Sequence, residues 1–219
     1  TAYVINGQPV NDMENGRVYW SNWMGLIDLT SSVQIQRGLG STSLAVPSAG
    51  GTVSVNKRAA EVDPGSGIKM SIGDNSYQKF TAFHNTGVNE LGWSSSFLLG
   101  FWQGDGWRNG MQGEGTTYAF SVGYTPRGGN HEFNFSLIGA GQWHHQAYYG
   151  TQLQDYLDYG PIQGDDYRKF NALYGDYQGE EFSILRNYYN KPLATFNWDW
   201  EISSRVTLAT SLYGSAGRG

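Results

Sequence analysis

The residues of this 219-residue chain whose types and spacing could do chemistry fall in a few short stretches. QWHHQ, residues 142–146, sets His144 beside His145. Histidine nitrogens bind metals and carry protons, but two are too few for a metal site, and neighbours on an extended chain point apart. Three readings stay open for His144 and His145: packing within a loop, contact with a bound molecule by hydrogen bonding or stacking, and, least supported, metal coordination. Asp165 and Asp166, like Glu180 and Glu181, are adjacent carboxylates. Glycoside hydrolysis needs two carboxyl groups that face one bond, so these diverging pairs read as solvated loop charge. RGLGSTS, residues 37–43, is glycine-rich and follows an alternating stretch. It lacks the GxGxxG spacing and the closing Lys-Ser/Thr of a phosphate loop, and no helical pattern follows it. No GxSxG elbow or HExxH pair is present either. The sequence therefore assigns no catalytic residue, no metal and no cofactor, and the chain does not read as an enzyme.

Binding chemistry is better represented. Residues 143–192 form a long stretch without clear periodicity that carries Tyr148, Tyr149, Tyr156, Tyr159, Tyr167, Tyr174, Tyr177, Tyr188 and Tyr189. Tyrosine combines apolar area with a hydroxyl at modest entropic cost, which suits adaptable binding surfaces and equally suits packing a loop onto its neighbours. A second long connection, GDGWRNGMQGEG, carries Trp107 and Arg108. The candidate ligand-binding residues are Trp107, Arg108, Trp143, His144, His145, Tyr148 and Tyr149.

The elements that must position them read as strands. Ile68, Met70 and Ile72 alternate with Lys69, Ser71 and Gly73, the period of two of a half-buried strand. Residues 78–88 alternate poorly. Trp93, Ser95, Phe97, Leu99 and Phe101 then oppose Ser94, Ser96, Leu98 and Gly100, and Tyr118, Phe120, Val122 and Tyr124 oppose Thr117, Ala119, Ser121 and Gly123. Phe133, Phe135 and Leu137 continue the pattern, followed after the long loop by Phe196, Trp198, Trp200 and Ile202, and by Val206, Leu208 and Leu212. The expected count is about seven strands, joined alternately by tight turns (VNELG, TPRGGNH, ISSR) and long loops, with aromatics gathered at strand ends. Short turns on one side, long loops on the other and two aromatic girdles are the arrangement of an outer-membrane β-barrel. A soluble sandwich shows the same period with its apolar face inward, so alternation alone leaves that alternative open. No cysteine is present and the net charge is −5, which removes thiol chemistry and disfavours a nucleic-acid partner.

The stretch 33–56, VQIQRGLGSTSLAVPSAGGTVSVN, resembles the end of the plug domain of TonB-dependent outer-membrane receptors. The matching positions are Arg37-Gly38 at a strand end, then Gly50-Gly51-Thr52-Val53-Ser54-Val55-Asn56, with Gly40 in the loop between. Upstream, YVINGQPVND resembles the preceding plug element, with Asn6 where the family more often has Asp. The resemblance implies an all-β fold, in which a plug portion is followed by antiparallel up-and-down strands of an incomplete transmembrane β-barrel. The expected divisions are 1–60 for the later part of the plug, 61–67 for a linker, and 68–219 for the barrel strands, with an extracellular loop over 143–192. Seven strands cannot close a barrel of about 22, and open edges do not persist in lipid, so the chain reads as a fragment. No secretion signal is visible ahead of its opening strand pattern, so further chain is expected before Thr1.

The resemblance also implies uptake of a scarce solute into the cell across the outer membrane, without covalent chemistry. Ferric siderophore-type complexes lead the class, with cobalamin, heme and oligosaccharides open. The implied partners are the inner-membrane TonB complex, the small-molecule ligand such as a ferric chelate, and outer-membrane lipid. In the family the arginine at the Arg37 position is held by barrel glutamates, so Arg37 is expected to lock plug to barrel, and residues 39–49 to lie near ligand or wall. The alternative function is a soluble β-sandwich that binds carbohydrate through surface aromatics.

Overall fold

The computed structural model describes residues 1–23, 26, 30–38 and 50–219. Two sheets face one another. The smaller, inner sheet contains β1 (Ala2–Ile5), β2 (Gln8–Pro9), β3 (Ser32–Gln36) and β4 (Thr52–Asn56), in the order β2-β1-β4-β3. β1 runs parallel to β4 and the other pairs are antiparallel. Asn6 and Gly7 join β1 to β2 with φ of 48° and 86°, the paired positive values of the Asn-Gly hairpin turn. Gly51 opens β4 at φ 92°, and a side chain there would meet the Gln36 carbonyl oxygen at 2.3 Å, so only glycine fits this approach. β3 stands at the sheet edge and leaves Val33 and Ile35 exposed.

The larger sheet is a wall of antiparallel strands: β5 (Gly65–Ile72), β6 (Gln78–Asn85), β7 (Trp93–Gly104), β8 (Gly113–Tyr124) and β9 (His131–His145). The long connection follows, with helix α1 (Leu153–Tyr159), the hairpin β10 (Tyr174–Tyr177) and β11 (Glu180–Ser183), and β12 (Arg186–Tyr189). β13 (Leu193–Ser203) and β14 (Val206–Ser215) complete the wall. Its order is β5-β6-β7-β8-β9-β13-β14, and β12 pairs with the far end of β9. The all-β, up-and-down expectation is borne out.

Boundaries differ where glycine hides the alternation. β5 starts at Gly65, inside the stretch expected to be linker. β9 runs through Ile138-Gly139-Ala140-Gly141 to His145, so Gln142 to His145 belong to a strand and not to the loop. A side chain at Gly139 would sit 2.4 Å from the ring of Tyr118 on β8. The glycine that breaks the sequence pattern thus makes room for a cross-strand aromatic. The 143–192 stretch is not loop throughout, since it contains α1, a hairpin and a strand paired to the wall.

The wall is inverted relative to a soluble sandwich. Asn85, Ser96, Ser121, Ser136 and Thr195 are register neighbours across β6, β7, β8, β9 and β13, and all are buried against the inner sheet. On the opposite face Phe97, Leu99, Phe101, Phe135, Leu208 and Leu212 are exposed. Rings gather there at the short-turn end, where Trp93 stacks on Tyr124 at 4.5 Å and Trp198 lies parallel to Phe133 and Trp200. A sandwich would bury the aromatic face, so this polarity opposes the soluble alternative. Among the described residues no helix is long and apolar enough to cross a membrane; the strands are the elements that present an apolar band. Among the described residues, apolar packing between the sheets centres on a small cluster around Ile5, Trp23, Val55, Leu98, Ile138 and Leu193.

Leu99 lies mid-strand on the outer face and is 67% exposed. Leu99→Arg should destabilise the bilayer-inserted full-length protein by about 2–4 kcal/mol, the midplane cost of a cation on a barrel exterior. Denaturant titration in lipid vesicles measures this, and an unchanged midpoint would contradict a lipid-facing surface.

Candidate ligand-binding site

The site depends first on how the inner sheet is held. Asn6 is buried with its Nδ2 donating to Ser136 Oγ at 2.7 Å and Thr195 Oγ1 at 3.2 Å. Its Oδ1 accepts from the Lys57 amide at 2.6 Å, and its carbonyl accepts from Asn197 Nδ2 at 3.0 Å. Asn134 works from the wall side, donating to the Lys57 carbonyl and accepting from the Ala59 amide and Ser121 Oγ. Arg58 adds charge: its Nη1 lies 2.6 Å from Asp199 and 2.9 Å from Glu132, on neighbouring strands β13 and β9. Burial would lower the Arg58 pKa, but the hydrogen bonds to Asp199 and Glu132 outweigh it and hold the guanidinium charged.

Above this seam, on the long-loop side, segment 12–22 approaches the wall. Gln142 on β9 donates to the Ser21 carbonyl at 2.7 Å and to the Tyr189 hydroxyl at 2.5 Å. These contacts floor a cavity of about 540 Å³ whose lining includes Tyr19, Asn22, His144, Tyr189, Lys191 and Arg218. Lys191 and Arg218 line it with Asp12 as the one acidic side chain, in a chain of net charge −5. His144 also borders a neighbouring cavity of about 370 Å³ with Tyr77, Trp102 and Met111. Ammonium, guanidinium, phenol and amide groups around a concave space suit an anionic, oxygen-rich solute.

The loops over this mouth are pinned. Asn171 is fully buried, its Nδ2 donating to the carbonyls of Asn109 and Gln146, while its Oδ1 accepts from the Leu173 amide. Gln163 joins the same knot by donating to the carbonyls of Asn171 and Tyr174. One amide thereby ties the 105–112 connection to the long loop.

Strand alternation separates the candidates named from sequence. His144 faces the lumen cavities. Trp143 and His145 are on the opposite face of β9, where Trp143 Nε1 donates to Glu114 at 2.9 Å and its ring meets His145 at 5.4 Å. Neither lines the two cavities that His144 borders. Arg108 is a loop tie, donating to the Tyr148 carbonyl and lying 5.7 Å from the Tyr156 ring centre. Trp107 lines a loop cavity with Lys169 and Glu181, Tyr148 lines another with Tyr159 and Phe170, and Tyr149 is 88% exposed. Arg37 and Gly38 are exposed at the end of β3, and Arg37 forms no ion pair among the described residues; the charged tie in place is Arg58. Gly50 packs against Thr1, and Asn56 donates to Ser32. Gly40 and the 39–49 loop lie outside the described residues. Lys191, Arg218 and Arg58 carry no local signal in the sequence; Tyr189 stands out there only as one of the loop tyrosines, and Asn6 only through its Asn-Gly turn.

No family model matches the chain, and no curated protein sequence does. Solved structures do. The ferric-catecholate import receptor Fiu of E. coli K12, in its open form, superposes with a TM-score of 0.68 at 16% identity, over 98% of this chain and 31% of that one. The siderophore receptor PiuA of Acinetobacter baumannii gives 0.64 at 13% identity, over 99% and 29%. The alcaligin outer membrane receptor FauA of Bordetella pertussis gives 0.63 at 12%, over 99% and 30%. The chain has the plug-and-barrel fold of TonB-dependent receptors. It spans 29–31% of these three structures' length. The inner sheet is the plug portion of that fold, and the larger sheet is barrel wall.

Two substitutions test the ties. Arg58→Ala leaves Glu132 and Asp199 facing each other unpaired and should weaken plug seating by about 2 kcal/mol, less than a fully buried pair because these groups are partly exposed. Asn171→Ala orphans buried carbonyls and should loosen the long loop by about 2 kcal/mol. Limited proteolysis and hydrogen exchange of the full-length protein report both, and each should act on its own region only.

Proposed function

We propose that the chain is part of an outer-membrane receptor that takes up a scarce solute through a plugged barrel, and that the solute is a ferric siderophore-type complex. The observation that carries this is the cavity of about 540 Å³ between plug segment and wall, with Lys191, Arg218, His144 and Tyr189 around it. An apolar band facing outward supports placement in a bilayer, and the polar seam supports a plug that can leave its seat. The neighbours named above are ferric-catecholate, siderophore and alcaligin receptors, which favours an anionic ferric chelate over cobalamin, heme or glycan. The role is transport rather than catalysis: Glu132 and Asp199 are engaged by Arg58, and Asp166 by Arg168. The partners of the whole protein are outer-membrane lipid, the ferric chelate and the inner-membrane TonB complex, which supplies the pull on the plug. Arg37 serves as a second lock, pairing with a carboxylate on a wall strand other than β5–β9, β13 and β14.

The double substitution Lys191→Glu with Arg218→Glu should lower the affinity of the full-length receptor for anionic ferric chelates at least about ten-fold, with yield and melting unchanged. Binding of ferric siderophores, cobalamin, heme and maltooligosaccharides would be compared by tryptophan quenching. Unaltered ferric-chelate binding in the variant, or wild-type preference for a neutral glycan, would reject the assignment.

A further inference from the structure

Lys57 follows β4 and is 1% exposed, one of the largest fully buried side chains in the structure. Its Nζ has no hydrogen-bond partner among the described residues. The backbone at Lys57 is pinned in the seam, its amide held by Asn6 Oδ1 and its carbonyl by Asn134 Nδ2. Beyond Lys57 the chain makes a short turn over β7 and β8, with Ala60 packed where a side chain at Gly123 would point. The wall strands on that side carry further orphans: Ser94 Oγ and Ser96 Oγ on β7, and Asn85 Oδ1 on β6. Asn85, Ser96 and Ser121 are register neighbours, and Ser121 donates to the Asn134 side chain that holds Lys57. The seam is thus well bonded at β9 and β13, and incompletely bonded at β6 and β7.

We propose that Lys57 is a proton-operated catch on the plug: uncharged, it lets the plug seat against the wall, and protonated, it favours release. Seating strips the ammonium of water and, among the described residues, supplies no carboxylate, whereas release hydrates Lys57, Ser94, Ser96 and Asn85 together. The titratable groups on the wall's inner face are Lys69 on β5, Lys79 on β6, Glu132 and His144 on β9, Asp199 and Glu201 on β13, and Tyr213 on β14; β7 and β8 present none. From the plug side come Arg58 and Glu61. Glu132 and Asp199 are held by Arg58.

Burial lowers the Lys57 pKa from its ordinary 10.5 to about 7. Between those values the seated plug holds fewer protons than the released one, so seating strengthens as pH rises and reaches its weakest, constant level below about 7. The slope for one proton is at most about ten-fold per pH unit. The inference rests on the plug-and-wall arrangement and not on which solute passes.

The test uses the full-length receptor in detergent, with plug seating read by hydrogen exchange of β4 amides, corrected for intrinsic rates, between pH 6 and 9. The wild-type seating constant should rise about ten-fold per unit from pH 7.5 to 8.5 and flatten below 7. Lys57→Met should seat more tightly with no pH slope, and Lys57→Arg, charged throughout, should seat weakly with none. Retention of the wild-type slope in Lys57→Met overturns the proposal. So does a carbon-labelled Lys57 that titrates near 10.5 in the seated protein, a readout that needs no variant to fold. Failure of TonB-dependent uptake would leave these constants untouched, so the catch and the transport reading fail separately.

Discussion

Asn6 and Asn134 join the two sheets with hydrogen bonds at a place where an ordinary domain would use apolar side chains. That choice follows from the wall's environment. A strand that shows phenylalanine and leucine to lipid must show its alternate residues to the lumen, and there they are serine, threonine and asparagine. Whatever sits against them has to offer matching donors and acceptors, since each buried group left unmatched costs more than a made bond contributes.

The same bonding is of a kind that water can replace. A hydrogen bond exchanged for water contributes only about 0.5–1.5 kcal/mol net, so a seam of amides and hydroxyls separates at modest cost while remaining specific in register. The apolar cluster around Ile5, Val55 and Leu98 is small, and the Arg58 bridge is partly open to solvent. Lys57 stands against seating, as the one buried cation of this seam among the described residues.

The outer end is built differently, because its loops hold their shape without a core. Asn171 and Gln163 supply that order through backbone carbonyls. Several tyrosines and Arg108 serve the same end: Tyr156 and Tyr159 pack on Phe170, and Arg108 bridges two loops. The tyrosine-rich loop is therefore largely a structural scaffold.

Much of the architecture was legible in the chain itself. The alternations at 93–101 and 117–124, the Asn6-Gly7 turn and the Gly50-Gly51 pair each mark an element found in the structure, because period two and positive φ are local properties of the backbone. Strand extents were lost where glycines such as Gly139 replace the alternating side chain to admit a neighbour's ring. Which face of the wall turned inward could not be read, since a strand pattern is symmetric with respect to its two sides. Nor could the site be read: Tyr19, His144, Lys191 and Arg218 meet only when β9, β12 and the plug come together. Sequence determined the strands and turns, for which neighbours along the chain suffice. Tertiary structure decided the seam, the cavity and the burial of Lys57, because each depends on side chains distant in sequence that share one surface.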